Sequence, residues 1–118
     1  MKKIFLIFSL LIGLHCYSQD CNKLSNGFSS YEQATKLILN TTFAFTDIAD
    51  VSDSSWITSA KYYSCDNITG FLVLKTSNKT YLHQNVPKTI WQNFIKAKSK
   101  GSFYNENIRG KYQLKLYN

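Results

Sequence analysis

The sequence predicts an α+β fold, a small antiparallel sheet of about four to five strands with an N-terminal helix and a C-terminal helix packed on it. Three observations carry this reading. Serine-capped helical spacing comes first along the chain, short alternating or apolar runs separated by turn residues follow, and an apolar stripe at helical period comes after the only proline.

The first element reads as a leader, because Lys2 and Lys3 precede an apolar run over residues 4–14 and polar residues follow at once. About 11 residues rise roughly 16 Å as a helix, half of the ~30 Å that a spanning anchor must cross. A cleaved signal peptide over residues 1–19 is therefore expected, with Cys16-Tyr17-Ser18 as the small-residue pattern and cleavage after Ser18 or Gln19. The protein is then secreted or periplasmic. A lipoprotein held through Cys16 is the competing reading, and the bulk of His15 weighs against it.

Residues 20–118 are the size of one domain with a modest core, and no linker, repeat or low-complexity tract divides them. Cys21 and Cys65 are the cysteines left after cleavage, and an oxidising compartment favours a disulfide between them. Closing a loop of about 45 residues would contribute about 4 kcal/mol in the loop-entropy account. Charge is uneven. Residues 20–74 carry Lys23, Lys36 and Lys61 against Asp20, Glu32, Asp47, Asp50, Asp53 and Asp66, while every charged residue from Lys75 onward is basic except Glu106. One side of a compact molecule would then be basic and suited to anionic partners.

Ser29 and Ser30, each three residues before Glu32 or Gln33, predict a capped helix with Tyr31, Ala34, Leu37 and Ile38 on one face and a stop near Asn40. Residues 42–46 predict a short strand with Phe43 and Phe45 on the same side. Asp47, Asp50 and Asp53 lack the alternate spacing and turn glycine of a calcium loop and read as turn and cap residues. Residues 55–63 predict a second strand, followed by a turn at Asp66-Asn67 and Gly70. Residues 71–75 are apolar on both faces, as a central strand covered on both sides would be.

Ser77-Asn78-Lys79 predicts a hairpin in which Asn78 takes the left-handed conformation, and residues 80–84 return as its partner. Tyr81 and His83 share one face there and Leu82 the other, but the register decides which face is core. Pro87 fits the first turn of the next helix, with Asn85 or Val86 as its cap. Ile90, Trp91, Phe94, Ile95 and the Lys98 stem form its buried stripe, Lys88, Gln92, Lys96 and Lys100 its solvated one, and Gly101 its stop. A compact segment over residues 102–109 leads to a last alternating strand with Tyr112, Leu114 and Leu116 on one side.

Ser54-Ser55-Trp56-Ile57, Tyr62, Tyr81-x-His83, Val86-Pro87, Trp91, Ala97-Lys98-Ser99-Lys100-Gly101, Phe103-Tyr104-Asn105, Ile108-Arg109 and Tyr112, in that order, resemble the KTSC domain, named for its place at the C-terminus of some lysyl-tRNA synthetases. The resemblance covers residues 54–116 and leaves residues 20–53 as an N-terminal extension. It implies a small family that also occurs as stand-alone bacterial proteins, has no established activity and has been suggested to bind RNA. Here His83 stands where the pattern has a second tyrosine, Asn78 replaces a hairpin glycine, and an aromatic expected near Lys75 is absent. The family motif then rests on Tyr81, His83, Val86, Pro87, Ser99, Gly101, Asn105, Ile108 and Tyr112.

His83 reads as a half-buried ring making one hydrogen bond, because catalysis needs a partner acid, base or nucleophile and a metal needs further ligands. No metal site, cofactor or catalytic residue is expected. Lys96 and Lys100 complement the end of a helix, which is the structural reading of the basic stripe. The binding reading groups Lys88, Lys96, Lys100, Arg109 and Lys111 with the aromatics Phe103 and Tyr104, a mixture suited to phosphate contact and stacking. Together these predict a small exported, non-catalytic binding module for a protein or anionic polymer of the cell envelope, with a nucleic-acid binder as the alternative and a His83-based hydrolase as the weakest reading. Export would separate such a module from tRNA.

Overall fold

The structure is a computed structural model that describes Cys21, Leu24 and residues 27–117, so the expected signal peptide lies outside the described residues. Helix α1 (Tyr31–Leu39) starts where expected: Ser30 Oγ accepts the Gln33 N–H at 3.1 Å, and Gln33 Oε1 accepts the Ser29 N–H at 2.7 Å. These two bonds satisfy donors that a helix start leaves without partners. Ala34 and Ile38 are buried, whereas Tyr31 and Leu37, expected on the same face, are exposed. The nine-residue helix meets the sheet only along a narrow i, i+4 line.

Four strands follow: β1 (Phe45–Ile48), β2 (Ile57–Ser64), β3 (Thr69–Thr76) and β4 (Thr80–Pro87). Each pairs antiparallel with the next, in the order β1-β2-β3-β4. The Asp66-Asn67 turn between β2 and β3 is held by Asp66 Oδ1, which accepts the N–H groups of Thr69 and Ile68, while Asn67 takes a left-handed φ of 64°. In the β3–β4 hairpin the left-handed asparagine expected at 78 is not found: the Thr76 N–H bonds to the Lys79 carbonyl at 2.8 Å, and the left-handed asparagines are Asn67 and Asn85. Asn85 lies beside the register shift opposite Gly70 and Leu72, where an extra residue must be accommodated.

Both faces of β3 are buried, as its apolar run predicted. Leu72 and Leu74 join Ala60, Tyr62, Trp91, Phe94, Tyr104 and Ile108 in one core, while Phe71 and Val73 join Leu82, Leu114, Leu24, Phe28, Ala34 and Ile38 in the other. Phe43 and Phe45 serve opposite cores rather than one side. Phe43 precedes β1 and packs on Tyr63 and Phe71, whereas Phe45 lies in the strand and meets Tyr62.

The strand β4 runs through Pro87, whose φ of −60° and ψ of 142° suit both a strand end and the residue before a helix. Pro87 itself, rather than Asn85 or Val86, occupies the cap of α2 (Lys88–Lys96). The helix ends before Gly101, and Lys98 is exposed rather than packed along its stem. Ala97 is extended, Ser99 Oγ accepts the Ser102 N–H at 3.2 Å, and this cap starts a separate helix, α3 (Lys100–Asn107), with Gly101 inside it. A local serine cap therefore overrides the glycine as the punctuation.

The expected last strand is present only as isolated bridges, His83 with Gln113 and Phe28 with Leu116. Tyr112 accepts the Gln84 N–H at 3.2 Å, Gln113 bridges His83, the Lys115 N–H donates to Gln84 Oε1 at 2.9 Å, and the Lys115 carbonyl accepts the Phe28 N–H at 2.9 Å. The tail ties the sheet edge to the segment ahead of α1 instead of following one partner. Cys21 and Cys65 form a disulfide with a Cα separation of 5.8 Å, which fastens the start of the described chain to the β2–β3 turn.

Candidate binding cleft at the edge of β4

His83 comes from β4, the last strand of the sheet, and points towards α3 with only 6% of its surface exposed. Its Nδ1 lies 3.1 Å from the Tyr112 carbonyl oxygen and its Nε2 lies 2.7 Å from the Tyr104 hydroxyl. A carbonyl can only accept, so Nδ1 carries the hydrogen and Nε2 of the neutral ring accepts from the Tyr104 O–H. Burial holds the imidazole below its ordinary pKa, against a smaller opposing effect of the bond to Tyr112. Burial likewise pushes the Tyr104 phenol up to about 12, Tyr81 adding to the shift and the Arg109 charge opposing it. The pair is neutral near pH 7.

Above this pair a cleft of about 570 Å³ opens along the outer edge of β4. The exposed Lys79, Arg109 and Tyr31, the buried His83 and Tyr104, and Gln113 and Leu114 of the tail all line it. Among the described residues, two cations and no carboxylate line it. Lys79 Nζ stands 5.3 Å from the centre of the Tyr81 ring. No group of three or more residues able to hold a metal occurs among the described residues.

The residues expected to bind do not gather in one place. Arg109 and Tyr104 line the cleft. Phe103 is half-buried and packs on Phe94, and Tyr104 is buried against His83 and Trp56, so neither offers a free face for stacking. Lys88 extends over the Phe45 ring at 4.4 Å, towards β1 at the opposite edge of the sheet. Lys100 donates to the Ala97 carbonyl at 3.4 Å and borders a smaller hollow of about 190 Å³ with Trp56 and Asp53. Lys96 and Lys111 are exposed.

Most of the motif positions hold the fold. Val86 and Ile108 are fully buried, and the Val86 carbonyl accepts the Tyr62 hydroxyl at 2.7 Å. Pro87 and Ser99 precede helices, Tyr112 anchors His83, and Gly101 admits the Trp56 indole where a Cβ would collide with it. Tyr81 is packed against the first core, and Asn105 is exposed. Lys79, Thr80, Gln113 and Tyr31 give no signal in the sequence, because the cleft joins a hairpin, a helix start and the tail that only the fold brings together.

A family model described as the KTSC domain matches residues 53–112. The crystal structure of a KTSC domain protein from Yersinia pestis is similar at 32% identity, with a TM-score of 0.50 over 63% of this chain and 100% of that one. No curated protein matches. The shared sequence and fold place this chain in the KTSC domain family.

Proposed function

We propose that the protein is an exported, non-catalytic binding module that recognises an anionic partner of the cell envelope, a protein or polymer, through the cleft at the β4 edge. The observation that carries this reading is the cleft itself, which sets Lys79 and Arg109 around a floor whose polar groups are already satisfied within the protein. A ligand there meets the cations of Lys79 and Arg109, and among the described residues that line the cleft no acid stands beside the neutral His83–Tyr104 pair to drive a proton transfer. The disulfide is compatible with life outside the cytoplasm, and among the described residues no helix is long and apolar enough to cross a membrane. The nucleic-acid alternative draws less support, because Phe103 and Tyr104 are committed to packing and the other lysines are spread over both sheet edges.

The test is a salt titration of binding to duplex DNA, RNA and polyphosphate, with wild type and with Lys79→Gln and Arg109→Gln. Binding to the anionic probes that weakens in both variants supports the reading. Steep salt dependence with a marked preference for RNA or DNA would move the assignment to nucleic acid, and binding unaffected by both substitutions would remove the cleft from consideration.

A further inference from the structure

The side of the sheet that faces α1 is covered unevenly. Strands of eight residues are roughly 26 Å long, whereas one helix laid across them shields about 10 Å. Near the disulfide this side is filled by Leu24 and by Phe28, which packs on Phe71. Further along, Ala34 and Ile38 of α1 share a core with Val73 and Leu82. Towards the β3–β4 hairpin the cover stops, and a groove of about 160 Å³ remains between the last turn of α1 and the strands.

Strand register gives this groove a polar end and an apolar end. Ser59 pairs with Lys75 and Lys75 with Thr80, so one cation between two hydroxyls stands nearest the hairpin. Lys61 pairs with Val73 one step further in, on the same side of the sheet and diagonal to Lys75. Diagonal neighbours are about 7 to 8 Å apart, so two long lysine stems can reach one small anion. Tyr63, Val73, Ile38 and Leu39 make the other end. Leu39 is 67% exposed, which leaves apolar surface for a ligand to cover. Among the described residues no carboxylate lines the groove.

We propose that this groove is a second ligand site, separate from the β4 cleft, and that it takes a small carboxylic acid with an apolar body the size of one ring. The carboxylate lies against Lys61 and Lys75, and the body lies against Leu39, Val73 and Tyr63. A cavity of about 150 Å³ holds one benzene, so the volume admits a single ring. An ionised head is favoured because ammonium donors bond a charged acceptor about twice as strongly as a neutral one. For a ligand of about ten non-hydrogen atoms the dissociation constant is about millimolar. Groove and cleft have only Thr80 in common among their lining residues, so each can be tested without the other.

The experiment titrates the mature chain, labelled for amide NMR, with phenylacetate, its neutral amide phenylacetamide, acetate, and a tripeptide ending in phenylalanine. The expected result is saturable shifts from phenylacetate centred on the Leu39, Lys61, Val73 and Lys75 amides, with phenylacetamide and acetate each binding about tenfold more weakly or worse. Lys61→Gln combined with Lys75→Gln should lose a similar factor with unchanged melting, and Arg109→Gln in the cleft should lose nothing. The comparison of acid with amide is made on the wild type, so it decides the matter even if the double variant folds poorly. Lysines that only keep the open end of the sheet soluble would bind acid and amide alike, and that result would overturn the proposal. So would shifts centred on another surface, or no saturation by phenylacetate up to about 50 mM. Tighter binding of the tripeptide than of phenylacetate would replace the small acid by a chain terminus.

Discussion

The Tyr104 hydroxyl donates to Nε2 of His83 at 2.7 Å, joining α3 to the last strand through two neutral side chains. Replacing Tyr104 by phenylalanine keeps the ring packing and leaves a buried nitrogen without its partner. The expected cost is about 1 to 3 kcal/mol, read as a lower denaturant midpoint with an unchanged slope.

The same pair makes stability depend on pH. The folded protein holds His83 below its ordinary pKa of 6.5, so between the two values the unfolded chain binds more protons. Stability is then full above about pH 6.5 and falls as the pH drops below it. Melting temperatures from pH 7.5 to 5 should decline in wild type and flatten in His83→Gln, and parallel curves would contradict the assignment.

At the alkaline end Tyr62 and Tyr104 are both raised to about 12, each chiefly by burial. Their phenols stay protonated past the ordinary tyrosine pKa of about 10, so ultraviolet titration should show a late step that merges with unfolding. Stability falls as the pH rises past 10. Tyr62→Phe should remove part of the late step.

Two glycines should respond differently to alanine. A Cβ on Gly70 would run into the Tyr63 carbonyl, which is ladder backbone and cannot give way, so Gly70→Ala is expected to cost about 1 to 3 kcal/mol or more. Gly110 has nothing within 4 Å, and only its φ of 78° opposes a side chain, so Gly110→Ala should cost about 1 kcal/mol. Thermal denaturation of the two variants checks the order.

Removing the disulfide with Cys21→Ser and Cys65→Ser should lower stability by about 4 kcal/mol, for a sequence separation of 44. Hydrogen exchange should accelerate first in α1 and around Phe28, the elements held near the bridge, before it does so in β3.

Much of the architecture was legible because each signal was local. The Ser30 cap, the doubly apolar run in β3 and the Asp66-Asn67 turn depend on neighbours within a few residues. The misses came from competition between such signals. Ser99 and Gly101 both punctuate helices; the cap prevailed because Ser99 Oγ takes the Ser102 N–H, and Gly101 lies inside the new helix where Trp56 packs too close for a Cβ. Phe43 and Phe45 share a parity that implies one face only if both lie in the same strand, and Phe43 falls short of it. Tyr104 looked like a stacking surface in the sequence, but its ring closes over a histidine 21 positions away, and no spacing rule reports that contact. The cleft was hidden for the same reason.

Ala34, Ile38, Phe28 and Leu114 fill the second side of the sheet, yet all four lie outside the 53–112 match. A recombinant piece trimmed to the motif would set Phe71, Val73 and Leu82 in water, and such a piece is expected to self-associate. The segment ahead of the motif is thus part of what makes this chain a folded unit, and homology limits are a poor guide to where it can be cut.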